Sequence, residues 1–301
     1  MNMEIEKETA FTDDNEFISP KIDYAFKQMM NNKIALSSFL SAILKINIDN
    51  IKDIQYVDTH TLKEYENDKY IVMDLRLILQ NEHEIEIEMQ VMNFKHWTDR
   101  VLYYNCKMLI EQAKKGDEYG KLIQCISISI LNFNIFNQVQ YPEYYSSYHI
   151  REDKDYRIFN NLLEFHVLEL PKIPDEIINN DELFIWAKFI NSSEKEEMEM
   201  LANQNAGVKE AYKELISLNN DDVRRQIYNS RKKAIMDYNV QQRAAKEEGK
   251  IEGKIEGIIE GIIEGKIEIA KNLLKKGLES SFISETTELP LEEIERLKKD
   301  I

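Results

Sequence analysis

Residues 70–91 place the chain's most reactive side chains at strand spacing, in the run Tyr70-Ile-Val-Met-Asp74-Leu-Arg-Leu-Ile-Leu-Gln-Asn-Glu-His-Glu-Ile-Glu-Ile-Glu88-Met-Gln90-Val. The run reads as two strands joined by a polar turn. Side chains of a strand alternate between its faces. Ile71, Met73, Leu75, Leu77 and Leu79 therefore share one face of the first strand, and Asp74, Arg76 and Ile78 the other. In the second strand Ile85, Ile87, Met89 and Val91 oppose Glu84, Glu86, Glu88 and Gln90. A turn centred on Asn81 sets Asp74 opposite Glu88 and Arg76 opposite Glu86. Directly opposed side chains lie about 5 Å apart at Cβ, so Asp74 and Glu88 would reach one divalent cation. Two acids and a nearby amide suit metal-assisted hydrolysis of a phosphodiester.

A solvated edge hairpin gives the same alternation, because charges on an open face protect a sheet. Two details oppose it. Asp74 interrupts the apolar run from Ile71 to Leu79, where an unpartnered acid is costly. Like charges directly opposite also destabilise a sheet unless something binds between them.

Asp74 followed by Glu88-Met-Gln90 resembles the Asp…(Asp/Glu)-x-Lys signature of the PD-(D/E)XK nuclease superfamily. More closely, the chain resembles the Rpn family of recombination-promoting nucleases and putative transposases. That resemblance runs through Lys21-Ile-Asp23-Tyr-Ala-Phe26-Lys27, then Ile-Glu88-Met-Gln90, then Arg100, Tyr103, Gln112, Gly116 and Tyr119. It continues to a strand ending near Phe133 and to Leu168-Glu-Leu-Pro-Lys172. It implies a metal-dependent DNA endonuclease linked to recombination or transposition, using Mg²⁺ or Mn²⁺. Hard oxygen ligands suit those ions rather than Zn²⁺. The alternative is an inactive nuclease fold used for binding or assembly.

The superfamily's lysine is Gln90 here, as in the nearer family. Lysine can place positive charge near the attacking water or the scissile phosphate; glutamine offers only hydrogen bonds. More of the chemistry then falls to the cation, which lowers the pKa of its water and polarises the phosphoryl oxygen. The expected roles are Asp74 and Glu88 as cation ligands, with the Met89 carbonyl beside them, and Gln90 orienting the water. Asp23 is a candidate outer or second-cation ligand, set against an i,i+4 pair with Lys27. On the following helix Arg100, Tyr104, Lys107 and Glu111 fall along one side. Arg100, Tyr103, Tyr104 and Lys107 are the candidate substrate contacts, the arginine to a phosphate and a tyrosine as donor. Packing competes with that reading, most strongly for the tyrosines.

The elements that would position these residues follow in order. Residues 1–18 read as a mobile acidic lead, and 19–174 as an α/β core of order α-β-β-β-α-β with added strands. Its mixed central sheet would be flanked by helices. Ser19-Pro20 reads as a helix start, Ser as N-cap and Pro at the first helical position. Further expectations are a helix over 34–44, a strand over 51–61, a helix over 98–115 and a buried strand over 121–133. Strands near 148–151 and 163–170 would extend the sheet.

Beyond Pro171 and Pro174 the pattern turns helical over 175–248, with Trp186 as a packing anchor. Over 249–268, Gly249, Gly253, Gly257, Gly261 and Gly265 recur every fourth residue, with Ile and Glu at fixed offsets. Glycine costs up to about 1 kcal/mol per site in a helix interior, so this stretch reads either as an oligomerisation helix or as a spacer. Residues 269–301 read as a small helical element with a glycine stop at Gly277. Its outline is that of a DNA-binding helix pair, but its acidic Glu292-Glu-Ile-Glu295 favours packing.

The chain has 301 residues, enough for a substantial core, and a formal charge of −16. That balance counts against simple electrostatic binding of nucleic acid, which depends on neutralising phosphates, and leaves a metal site with a local basic patch as the route for an enzyme that binds transiently. Cys106 and Cys125 form no disulfide framework or metal spacing and fit packing in a reducing cytoplasm. The five histidines form no H-x-x-x-H arrangement, and no serine or cysteine triad has a local signature. The first residues are polar and acidic, unlike a signal peptide, and no apolar run is long enough to span a bilayer.

Overall fold

The computed structural model describes residues 17–59, 74–93, 95–113, 118–176 and 181–299. Residues 1–16 of the lead expected over 1–18, the start of the hairpin over 70–73, and Gly116 lie outside the described residues. Two compact units divide the chain, one ending at Ile235 and the other beginning at Met236.

The first unit is built on a six-stranded mixed sheet of order β1-β2-β3-β4-β6-β5. Its strands are β1 (Ile54–Tyr56), β2 (Leu75–Leu79), β3 (His83–Gln90), β4 (Gln124–Leu131), β5 (Tyr145–Arg151) and β6 (Ile158–Glu169). β3 lies parallel to β4, and β4 parallel to β6; the other neighbours are antiparallel. The connection from β3 to β4 runs through α3 (Trp97–Glu111), since parallel neighbours need a crossover rather than a tight turn. With α1 (Asp23–Met30) and α2 (Lys33–Leu44) ahead of β1, the order is the expected α-β-β-β-α-β with a doubled first helix.

The hairpin has the expected register: Leu75 pairs with Ile87, Arg76 with Glu86 and Leu79 with His83. Gln80 and Asn81 both take positive φ in the three-residue turn, a conformation that asparagine tolerates better than most residues. The hairpin is not a solvated edge. β3 is interior, and Glu84, Glu86, Glu88 and Gln90 are all buried.

Each face of the sheet has its own cover. On one, Leu75, Leu77, Leu79, Ile85, Ile87, Ile126, Ile128 and Ile130 join the main core with Phe26, Phe39 and Trp186. On the other, α3 packs over β4 and β6. α4 (Glu182–Asn191), α5 (Lys195–Ala202) and α6 (Ala206–Asn219) complete the main core. Asn32, Asp181 and Asn205 cap α2, α4 and α6 by accepting backbone N–H bonds. Trp186 is fully buried, as expected, edge-on to Phe39 and donating from Nε1 to Ser38 Oγ at 3.2 Å. Gly207 lets α6 approach α2: a Cβ there would fall 2.1 Å from that of Ser38.

Several boundaries differ from expectation. α1 begins at Asp23, not at Ser19-Pro20. Those residues form a turn in which Ser19 Oγ accepts the Lys21 N–H, while the Ser19 N–H donates to Tyr228 Oη at 3.0 Å. Burial of Ile18 and Ile22 on either side fixes that turn. The strand expected over 51–61 spans only Ile54–Tyr56 among the described residues, and α3 ends at Glu111. β6 begins at Ile158, earlier than expected, and is an inner strand between β4 and β5.

α7 (Asp222–Lys275) carries the glycine repeat as continuous helix. A Cβ on any glycine from Gly249 to Gly265 would meet nothing within 4 Å, and Ile251, Ile255, Ile258, Ile259 and Ile262 are exposed. α7 ends in a Schellman stop at Gly277, whose φ is +78°: Leu278 N–H donates to Leu273 O and Gly277 N–H to Leu274 O. In the second unit, Ala270 packs with Ile283 of α8 (Ser280–Thr287) and with Ile294 and Leu297 of α9 (Leu291–Lys299). Among the described residues no helix is long and apolar enough to cross a membrane.

Candidate active site

Alternation along β3, and along β4 with Ser127 and Ser129 between its isoleucines, directs a set of polar side chains at the underside of α3. Helix α3 closes over them because Trp97, Val101 and Met108 pack on Leu131, Val167 and Cys125. The sheet thus acquires a buried polar layer, in which each group needs a partner to offset its lost hydration.

One end of that layer is closed. Arg76 donates from Nε to Glu84 Oε1 at 2.7 Å and from Nη2 to Glu111 Oε2 at 2.9 Å. Gln112 donates to Glu84 Oε2 at 2.8 Å and to Cys125 Sγ at 3.1 Å, while its Oε1 accepts the Ile123 N–H. Burial pushes the Cys125 thiol up to about 12, so it packs as a neutral group.

The other end gathers the predicted residues. Asp74 stands next along the register from Leu75, on the side of Glu88. Its Oδ2 accepts the Met89 N–H at 3.0 Å. Burial, then the charge of Glu88, pushes the Asp74 carboxyl up to about 7, against the Met89 hydrogen bond. Asp23 raises it further and Lys27 lowers it, so both lie close enough to act on Asp74. Asp23 Oδ1 is buried with no hydrogen-bond partner, and the local pair with Lys27 is not formed.

Glu86 is buried, with one oxygen accepting from Ser127 Oγ at 3.1 Å. Burial and the neighbouring Glu88 raise its carboxyl well above the usual range. Glu88 is also raised by burial, opposed by Arg100 and by a hydrogen bond from Glu86. A protonated Glu86 donating to an ionised Glu88 satisfies both directions.

Arg100 reaches down from α3 into this cluster. Nη2 meets Glu88 Oε1 at 2.6 Å, Nη1 meets Gln90 Oε1 at 3.3 Å, and Nε donates to Tyr104 Oη at 2.8 Å. Burial works against its charge, but Glu88, Tyr104 and Glu86 more than offset that and raise its pKa. The Gln90 amide donates in turn to the Met92 carbonyl at 3.1 Å. Tyr104 is half-buried against the guanidinium, and Tyr103 is exposed. Lys107 is buried, so the helix stripe reaches a substrate-facing surface only at its Arg100 end.

Asp74, Glu88, Gln90 and Arg100 therefore come together, with Asp23 nearby. Sequence reasoning missed the inward turn of Arg100 and the support from Ser127. The Ile-Ser-Ile-Ser-Ile alternation of β4 carried the second signal. Among the described residues, no three His, Cys, Asp or Glu side chains form a ready-made cation cage. Two carboxylates and a backbone carbonyl still suit Mg²⁺, which keeps several waters and shares substrate phosphates. Glu88 presses the Asp74 and Glu86 carboxyls upward, and Asp23 has an unpaired oxygen; a cation would relieve both.

A family model described as PD-(D/E)XK nuclease family transposase matches residues 20–245. No curated protein and no solved structure matches the chain.

Proposed function

The chain belongs to the PD-(D/E)XK nuclease family transposases, and we propose that it is a Mg²⁺- or Mn²⁺-dependent DNA endonuclease acting in recombination or transposition. The observation that carries this reading is the meeting of half-buried Asp74, just ahead of β2, with buried Glu88 of β3, both carboxyls held above their usual range, Asp74 by burial and then by Glu88, and Glu88 by burial.

In this reading Asp74, Glu88 and the Met89 carbonyl would hold the cation, with Asp23 as an outer or second ligand. When bound, such an ion would supply an acidified water and a polarised phosphoryl oxygen. Gln90 orients that water through its amide. Arg100 and Tyr103 meet the phosphate backbone, and Tyr104 steadies the guanidinium. A chain of net charge −16 then needs no broad basic surface, because the local cation and arginine supply the charge where the phosphate sits.

Metal-titrated cleavage of plasmid and single-stranded DNA, with wild type beside Glu88→Ala and Asp74→Ala, tests the assignment. Cutting should require the ion and vanish in both variants while circular dichroism shows them folded. Undiminished cutting by either variant would overturn it.

A second reading rests on the glycine repeat. The exposed isoleucines of α7 and the open space around its glycines suit a second copy of this helix, since small residues permit close helix approach. This assembly role could accompany nuclease activity or replace it. Light scattering of the full chain and of one lacking residues 249–265 checks it: the deletion should reduce the mass to that of a monomer.

A further inference from the structure

The superfamily signature carries a lysine where this chain has Gln90, and half-buried Asp74 with buried Glu86 and Glu88 have no Lys or Arg on β3 to replace it. Lys27 of α1 acts on Asp74, and the positive group in contact with Glu88 and Gln90 comes from α3. Arg100, on the first turn of α3, places Nη2 2.6 Å from Glu88 Oε1 and Nη1 3.3 Å from Gln90 Oε1. The Gln90 amide is oriented for this contact, its nitrogen donating to the Met92 carbonyl and its oxygen turned to the arginine. A lysine at 90 would put a second cation against the guanidinium, so Gln90 and Arg100 are mutually consistent.

Exposure adds a second constraint. The Arg100 side chain retains about a third of its accessibility, whereas that of Glu88 retains 9%. The arginine thus enters from the solvent side and contacts Glu88 through one end of its fork. Arginine's planar fork matches phosphate as well as carboxylate, so the same group can exchange one for the other.

From this arrangement we infer that Arg100 supplies, from the helix, the positive charge that the signature's lysine would supply from the strand. Without a divalent ion it neutralises Glu88; when the ion takes Glu88, the guanidinium is released toward the scissile phosphate. The inference rests on the nuclease reading and names the cationic group in that site. It also makes Arg100 and the ion competitors for one carboxylate, which can be measured without any cleavage.

The test is Mn²⁺ binding to the full-length protein by titration calorimetry, for wild type, Glu88→Ala, Arg100→Gln, Arg100→Lys and Arg100→Gln/Gln90→Lys. Removing the competing charge should tighten Mn²⁺ binding by about tenfold or more in Arg100→Gln, the scale of a close charge pair at intermediate dielectric. Metal-free Arg100→Gln should also melt lower than wild type. The double variant, with its charge moved to the strand, should regain wild-type affinity to within roughly threefold and recover cleavage lost in Arg100→Gln. Should Arg100→Gln not fold, Arg100→Lys decides: its Mn²⁺ affinity should stay near wild type. Unchanged or weaker Mn²⁺ binding in folded Arg100→Gln overturns the inference alone, as does uncharged-like tightening in Arg100→Lys. Equal Mn²⁺ binding by wild type and Glu88→Ala overturns the metal-site reading and the inference with it.

Discussion

Arg76 and Arg100 both bring a guanidinium to the same buried face of the same sheet, and they do different things there. Arg76 comes from the strand itself and is sealed in: Glu84 has one oxygen on Arg76 and the other on Gln112, while Glu111 closes the fork from α3. Arg100 comes from the helix, is partly open to solvent, and meets a cluster in which acids outnumber it. A buried charge network whose members are all engaged fixes structure. One with a surplus of acid, raised carboxyls and an unpaired Asp23 oxygen leaves room for an added cation. Ion pairs alone do not separate the two ends; the balance of charge within each pairing does.

The sharpest way to test that contrast is to remove acids from each end. Asp74→Asn should abolish cleavage, yet leave the metal-free protein at least as stable as wild type at pH 8, because it removes a carboxylate from a crowded site. Thermal melts in chelator beside a cleavage assay measure both. A large loss of stability would place Asp74 with the structural network instead.

Arg76→Ala should have the opposite profile. It strands Glu84 and Glu111 in a buried layer, a defect that costs about 3–5 kcal/mol, read from urea unfolding. Mn²⁺ affinity of the folded fraction should remain near wild type.

The pH dependence should separate the ends further. Folded Asp74 keeps its proton up to about 7, against the ordinary 3.8. Between those values the native state binds more protons than the unfolded chain. Its contribution to stability is full at the acid end and is lost as pH rises through about 7. Glu86 and Glu88 shift in the same direction. Melting temperature in chelator should therefore fall over this range, and the slope should flatten in Asp74→Asn but not in Ser127→Ala. A Mg²⁺-loaded sample should show a weaker slope. The smallest effect belongs to Ser127→Ala, which removes one hydrogen bond to Glu86 at a cost of about 0.5–1.5 kcal/mol by urea unfolding.

The hairpin was legible in the sequence because two alternating strands and a three-residue turn leave one register that puts Leu75, Leu77, Leu79, Ile85 and Ile87 together on the core face. That register places Arg76 opposite Glu86, as read, but Arg76 bonds diagonally to Glu84 and across to Glu111. The diagonal depends on α3 lying over the face, which strand periodicity does not encode. Arg100 was legible as a phosphate contact but not as a partner of Glu88, for the same reason. Ser19-Pro20 has sound local helix-start chemistry, yet Tyr228, far along the chain, takes the Ser19 N–H and buried Ile18 and Ile22 hold a turn there. Local propensity gave way to long-range packing. The same applies to β6, whose place between β4 and β5 was not marked by its own alternation.

The three-residue turn between β2 and β3 also bears on how the chain folds. A short loop costs little closure entropy, so this hairpin can form early, whereas β4 must return through the α3 crossover before it pairs with β3. On that order Asp74, Glu86 and Glu88 would gather before the helix that carries Arg100 docks, and the repulsion would precede its counter-ion. Protons shared among the carboxylates would bridge that interval, so refolding in chelator should be faster in mildly acidic buffer than at pH 8.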